Sequence, residues 1–81
     1  MHVVRIEGLH FVPEVLVVTA GDRVNWVNTD PFPHTVTADD RTFDSGNLSA
    51  AAQWSYAAGK PGTFPYRCSL HPTMKGKLIV R

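Results

Sequence analysis

The chain has 81 residues, enough for one hydrophobic core and too few for a second. Its net charge of +1 lacks the basic surplus of a nucleic-acid or lipid-surface binder, and no apolar run approaches the roughly 20 residues that span a bilayer. An apolar content of 43% with 19% charged residues indicates a folded domain and argues against disorder. We therefore expect a single domain over residues 1–81.

Short apolar-rich segments alternate with turn residues along the chain, and no helical period is sustained. Residues 2–8 predict a first strand. Residues 14–19 and 23–28 predict the two arms of a hairpin joined by an Ala-Gly-Asp turn. A loop broken by prolines then leads into a strand over residues 34–37.

The second half of the chain continues the strand pattern after a long loop. Residues 39–50 carry the densest cluster of Asp, Ser, Gly and Asn, which predicts that loop. Strands are predicted within residues 51–58, over 63–69 and at the end over 76–81. About seven short strands at this spacing indicate an all-β protein, either an antiparallel sandwich or a barrel.

One cluster near the end of the chain carries chemistry. Cys68, His71 and Met74 follow the spacing C-x2-H-x2-M. Because Pro72 disfavours helical geometry at His71, the cluster fits a loop between two strands better than a helix face. Thiolate, imidazole and thioether are ligands that select copper. One more imidazole, for which His34 is the candidate, completes the trigonal His2Cys plane with axial Met of a blue-copper electron-transfer centre.

The stretch CSLHPTMKGKLIV resembles the copper-binding loop of the cupredoxins, and its spacing is similar to that of the amicyanin branch rather than the plastocyanin branch. FVPEVLVVTAGDRVNWVNTDPFPHTVT resembles the region around the first histidine ligand of this family. The lead-in KPGTFPYRC and the terminal KLIV strand strengthen the likeness, which covers nearly the whole chain. It implies a Greek-key β-sandwich of about seven strands.

This resemblance also implies a ligand set and a function. One copper ion per chain is bound by His34, Cys68, His71 and Met74, with Cys68 forming the strongly coloured bond. The protein is expected to carry single electrons by cycling between Cu(I) and Cu(II). It transforms no substrate and is therefore not expected to be an enzyme.

The edge of His71 is expected to reach the surface inside an apolar rim formed by Pro33, Leu70 and Pro72. Redox protein partners are expected to dock there briefly and weakly, with the protein itself a monomer. A periplasmic or otherwise extracytoplasmic location follows from the resemblance, although this chain contains no signal peptide.

Two positions depart from the family pattern. The residue after the first histidine is usually Asn, which ties the two ligand loops together, whereas here it is Thr35. A threonine hydroxyl can still bond towards Ser69, with fewer donors and acceptors than an amide. Thr73 stands where amicyanins have Phe, so the rim is expected to be less apolar.

Other functions fit parts of the pattern. The chain is alternatively a copper-binding carrier or sensor domain of a larger protein, exchanging metal rather than electrons. A metal-free sandwich that binds partners leaves the four potential ligands unexplained.

Coupled copper clusters of multicopper oxidases need a His-Cys-His run, but Cys68 is flanked by Arg67 and Ser69. Zinc also accepts thiolate and imidazole ligands, although copper binds such sites more tightly.

Overall fold

Alternating apolar residues build two β-sheets in the structure, a computed structural model that describes all 81 residues. Eight strands are present where about seven were expected; the additional one, β2, pairs with β1. No helix of the structure is long and apolar enough to cross a bilayer. In chain order the strands are β1 His2–Glu7, β2 His10–Val12, β3 Val15–Val18, β4 Arg23–Asn28, β5 Thr37–Ala38, β6 Gln53–Ala57, β7 Gly62–Arg67 and β8 Lys75–Val80.

The strands form a sandwich of two four-stranded sheets. The first sheet has the order β2-β1-β4-β6 and the second the order β3-β8-β7-β5. Strand β1 runs parallel to β4 and β3 parallel to β8, while all other neighbours are antiparallel. Because the chain changes sheets at every connection between β2 and β7, the predicted all-β sandwich with Greek-key connections is confirmed.

The predicted hairpin between the third and fourth strands is wrong. Strand β3 pairs with β8 in one sheet, while β4 lies between β1 and β6 in the other. The turn between them bonds to both sheets, because the Ala20 amide donates to the Arg81 carbonyl and the Gly21 amide to the Ala58 carbonyl, each at 2.8 Å. A four-residue connection can join two strands of one hairpin or cross from one sheet to the other. Here its hydrogen bonds to Arg81 and Ala58 hold it in the crossing form.

The core lies between the inner faces of the two sheets and has Trp26 and Tyr66 near its centre. Trp26 on β4 and Tyr66 on β7 meet edge to face at 5.6 Å, and the indole N–H donates to the Tyr66 hydroxyl at 3.3 Å. Such a pair contributes about 0.5–1.5 kcal/mol beyond the burial of its area. Burial raises the pKa of Tyr66 to about 12, so the hydroxyl stays protonated at neutral pH.

The strand pairing brings two distant segments to one end of the sandwich. Strands β7 and β8 pair up to Arg67 and Lys75, so residues 68–74 form the loop that joins them. Strand β5 pairs with β7 through Thr37 and Arg67, which places the connection over residues 29–36 beside that loop. The two segments that contain the predicted metal ligands are therefore neighbours.

We predict that Gly76→Ala destabilises the fold by about 1–3 kcal/mol, because overpacking displaces the buried ring of Tyr66. A Cβ atom at Gly76 would lie 2.6 Å from the Tyr66 hydroxyl oxygen, and closer still to the ring carbon that carries it. Tyr66 is held on its other sides by Trp26 and by Phe11 at 4.7 Å. The free energy of unfolding in urea measures the effect.

Gly59→Ala is the matched control, because a Cβ atom at Gly59 meets nothing within 4 Å. Its free energy of unfolding should stay within about 0.5 kcal/mol of the parent protein. Equal stability of the Gly76 and Gly59 variants would show that the Tyr66 ring is not confined.

Candidate metal centre

Three of the four predicted ligands converge on one point. The ligand atoms of His34, Cys68 and His71 all lie within 4.8 Å of one another. The Cys68 sulfur is 3.6 Å from Nδ1 of His34 and 3.7 Å from Nδ1 of His71. His34 and Cys68 are fully buried, whereas His71 is half-buried and has an edge at the surface.

These separations fit a small soft metal ion held between the three atoms. Metal–nitrogen bonds of about 2.0 Å and metal–sulfur bonds of about 2.3 Å, separated by a trigonal angle, place nitrogen and sulfur about 3.7 Å apart. Both observed nitrogen–sulfur distances match this value. Thiolate with two imidazoles is the equatorial donor set of blue-copper centres.

The loop over residues 68–74 explains the C-x2-H-x2-M spacing. The His71 amide donates to the Cys68 carbonyl at 3.2 Å, and the Met74 amide donates to the His71 carbonyl at 2.8 Å. Two successive β-turns, over residues 68–71 and 71–74, therefore bring the chain back, and the Cys68 amide closes the loop by donating to the Met74 carbonyl at 3.1 Å. Met74 is buried, and its carbonyl is the partner of the Cys68 amide; its axial role stays a prediction.

Hydrogen bonds from Thr35 join the two ligand segments. The Thr35 amide donates to the Cys68 sulfur at 3.3 Å, a contact that stabilises negative charge on a thiolate. The Ser69 amide donates to the Thr35 hydroxyl oxygen at 2.8 Å, and the two hydroxyls are 3.1 Å apart. The link expected between Thr35 and Ser69 is confirmed, so threonine performs the tie despite its smaller number of polar atoms.

A buried carboxylate that sequence reasoning missed orients His34. Oδ2 of Asp30 is 2.8 Å from Nε2 of His34 and accepts the Leu9 amide at 3.1 Å, while Oδ1 accepts the Gly8 amide at 2.7 Å. Because an ionised carboxylate only accepts hydrogen bonds, Nε2 carries the imidazole proton and Nδ1 keeps its lone pair for a metal. Asp30 precedes His34 by four residues, but in a loop interrupted by prolines this spacing does not indicate how close the two side chains lie.

The same contacts keep Asp30 ionised. Burial alone raises the pKa of this carboxyl, but the amides of Leu9 and Gly8 and the bond from His34 outweigh burial and hold the pKa below its usual range. A depressed pKa means that the carboxylate stabilises the fold above pH about 4 and that this contribution is lost as pH falls through the folded-state value.

Asn28, also missed from the sequence, shapes the segment before His34. Its side-chain amide donates to the carbonyls of Phe32, Leu48 and Ser49 at 2.9, 2.9 and 3.3 Å, and its oxygen accepts the Asp30 amide at 2.9 Å. One fully buried side chain therefore fixes the loop that carries Asp30 and leads to the first histidine.

Several exposed apolar residues lie next to the histidine ligands in the chain. The predicted rim residues Pro33, Leu70 and Pro72 are all exposed. Phe32, absent from the predicted rim, is 39% exposed and lies against both imidazoles, with ring centroids 5.2 Å from His34 and 6.0 Å from His71. An aromatic ring therefore covers this edge even though Thr73 replaces the phenylalanine of amicyanins.

Comparison with known proteins places the chain in a family. Residues 2–80 match the family model described as a cupredoxin-like domain. The chain belongs to this family. Amicyanin-alpha of Methylorubrum extorquens is 32% identical over 82 residues, an alignment that covers 95% of this chain and 69% of that protein. The chloroplastic plastocyanin of Chlamydomonas reinhardtii is 35% identical over 87 residues, covering 91% of this chain and 60% of that protein.

Solved structures agree with this assignment. An amicyanin variant in its Cu(I) form superposes with a TM-score of 0.92 at 28% identity, covering 99% of this cupredoxin chain and 81% of that one. A Cu-containing nitrite reductase from Thermus scotoductus superposes with a TM-score of 0.93 at 30% identity, but this chain covers only 22% of its length. The cupredoxin fold therefore occurs both alone and within a longer chain.

We predict that Asp30→Asn lowers copper affinity about 10- to 100-fold, the usual effect of removing a group that orients a metal-binding histidine. All three groups that face the Asp30 side chain donate hydrogen bonds. The NH2 group of an asparagine would therefore point a donor at another donor and leave both without an acceptor. Competition with a chelator of known affinity measures the loss. Asp40→Asn, which changes an exposed carboxylate, is the control; equal affinities in the two variants would contradict a role for Asp30.

Proposed function

We propose that residues 1–81 form a single cupredoxin domain that binds one copper ion through His34, Cys68, His71 and Met74 and carries single electrons between redox partners. The observation that carries this proposal is the convergence of two imidazole nitrogens on one buried thiol sulfur, at 3.6 and 3.7 Å. No other group of three potential ligands from His, Cys, Asp and Glu converges in this way.

Copper bound at this centre supplies a one-electron couple between Cu(I) and Cu(II). The chain's own residues orient two of the ligands: Asp30 bonds to the ring of His34, and the Thr35 amide donates to the sulfur of Cys68. Ligands that do not move between oxidation states keep the reorganisation at each transfer small. The half-buried edge of His71 gives electrons a short route between the surface and the centre.

The arrangement favours a carrier over an enzyme. The side chains of His34 and Cys68 are fully buried, so of the three converging ligands only His71 reaches solvent. Arg67 and Ser69 flank Cys68, so the His-Cys-His path to a coupled copper cluster is absent. We assign the protein as a non-enzymatic electron carrier.

Redox protein partners dock, on this proposal, at the apolar rim around His71. Phe32 and Leu70 are 39% and 48% exposed, and Pro33 and Pro72 complete the rim. An apolar surface without paired charges suits brief, weak encounters. The protein acts as a monomer and works in the periplasm or another extracytoplasmic compartment, as the family resemblance implies.

A copper-binding carrier or sensor domain of a larger protein is the alternative function. The similarity to a small part of the longer nitrite reductase chain favours a domain role. The ligand set counts against rapid metal exchange, because Cys68, His34 and Met74 are buried and only His71 reaches solvent.

We predict that one equivalent of Cu(II) added to the metal-free protein produces an intense visible absorption band that Cys68→Ser abolishes, because the band requires a thiolate–copper bond. His10→Gln changes an exposed imidazole outside the centre and should keep the band. A colourless wild-type protein would refute the copper proposal. If the band appears, reversible voltammetry of the copper-loaded protein distinguishes an electron carrier from a domain that releases its metal.

We predict that Leu70→Glu slows electron self-exchange between reduced and oxidised copper-loaded protein by about tenfold or more, since two like charges then meet in the encounter complex. Nuclear magnetic resonance line broadening of mixed samples measures the rate. Val17→Glu places the same charge on β3, at a side chain that is 42% exposed, and should leave the rate nearly unchanged. Equal rates in the two variants would exclude the rim as the docking surface.

A further inference from the structure

Four polar side chains form a continuous line of hydrogen bonds that begins beside Cys68 and ends at a carboxylate. The Ser69 hydroxyl is 3.1 Å from the Thr35 hydroxyl, which is 3.0 Å from the Thr37 hydroxyl, which in turn is 3.2 Å from Oδ1 of Asp44. Thr35 and Thr37 are buried, with 3% and 5% of their surface exposed.

The carboxylate sets the direction of every hydrogen bond in this line. An ionised Asp44 only accepts, so Thr37 donates its single hydroxyl proton to Asp44 and must accept from Thr35. Thr35 has then used its own proton, so both Ser69 groups that face it, the amide and the hydroxyl, donate to its oxygen. All three hydroxyls therefore point from Ser69 towards Asp44.

The position of Asp44 is itself fixed by the backbone. Asp44 forms an isolated β-bridge with Thr37, and its Oδ1 also accepts the Gly46 amide at 2.9 Å. The amide of Val36 donates to the Ser45 hydroxyl at 2.8 Å, which joins the same two segments. The carboxylate is exposed to solvent but held against the end of the line.

A line of hydrogen bonds in one direction strengthens each member, because a hydroxyl that donates becomes a better acceptor. The negative charge at Asp44 therefore makes the Thr35 oxygen a stronger acceptor for the Ser69 amide. That amide belongs to the peptide bond directly after Cys68, and the Thr35 amide bonds to the sulfur of the same cysteine.

We propose that Asp44 and Thr37 are positioning residues for the Cys68 ligand, acting through the hydroxyl of Thr35 on the Ser69 amide. Neither side chain forms a hydrogen bond with a predicted ligand, and neither residue belongs to the four-residue ligand set. The effect on the metal-free protein follows from the hydrogen bonds alone, whereas the effect on bound copper rests on the proposed function.

The test replaces the middle hydroxyl. Thr37→Val keeps the shape of the side chain but removes the acceptor of the Thr35 proton, which then turns towards Ser69 and weakens the bond from the Ser69 amide. In metal-free protein, hydrogen exchange of the Ser69 amide should become roughly two- to tenfold faster relative to that of Leu78, a buried residue that reports global unfolding. Thr37→Ser keeps the hydroxyl and should restore the wild-type ratio.

Two further variants sharpen this test. Asp44→Asn keeps an oxygen that can accept the Gly46 amide but removes the charge, so it should speed Ser69 exchange less than Thr37→Val does. Thr63→Val makes the matched substitution at an exposed threonine of β7 and should change nothing. If Thr37→Val leaves the ratio of Ser69 to Leu78 exchange unchanged, the proposal is overturned.

The reduction potential of the copper-loaded variants tests the step from Ser69 to Cys68. Thr37→Val should shift the potential while Thr37→Ser and Thr63→Val should not, because hydrogen bonding around a cysteine ligand tunes the redox potential of such centres. An unchanged potential with faster Ser69 exchange would overturn the role towards Cys68. Failure of the wild-type protein to bind copper would refute the proposed function instead, and the exchange result would still stand.

Discussion

The structure at the ligand end depends on the placement of the Cys68 sulfur between two chain segments. The pairing of β7 with β8 brings Cys68 to the end of its strand, and the Thr35 amide bonds to its sulfur from the other segment. Both imidazoles approach this sulfur through Nδ1, at about the same distance. The two chain segments therefore meet at this sulfur through strand pairing and one backbone amide.

Most of the polar groups buried in this sandwich lie in the segment that supports the centre. Apart from the indole N–H of Trp26 and the hydroxyl of Tyr66, which bond to each other, the buried polar side chains lie between residues 28 and 37; they are Asn28, Asp30, His34, Thr35 and Thr37. Every buried side-chain nitrogen and oxygen has a hydrogen-bond partner. Because an unpaired buried polar group costs about 1–3 kcal/mol, such a connected set favours one arrangement of the loop.

The two ligand segments are held in place in different ways. The segment with His34 is rigid through side-chain hydrogen bonds to Asn28 and Asp30. The loop with Cys68 and His71 is held by its own β-turns and leaves one imidazole edge at the surface. A firmly fixed centre with one accessible edge is the arrangement that electron transfer needs, because rigidity limits reorganisation and the edge shortens the route.

The features that depend on local pattern could be predicted from the sequence. Alternating apolar residues predicted most strands. The pattern C-x2-H-x2-M predicted a ligand loop, and its three-residue spacing matches the two β-turns that form. The tertiary structure alone decided which strands pair, so the expected hairpin opened into a connection between sheets. It also decided that Asp30 and Asp44 serve the centre. Their contacts join residues through loops, where sequence spacing sets no distance, and only the packed sandwich brings the partners together.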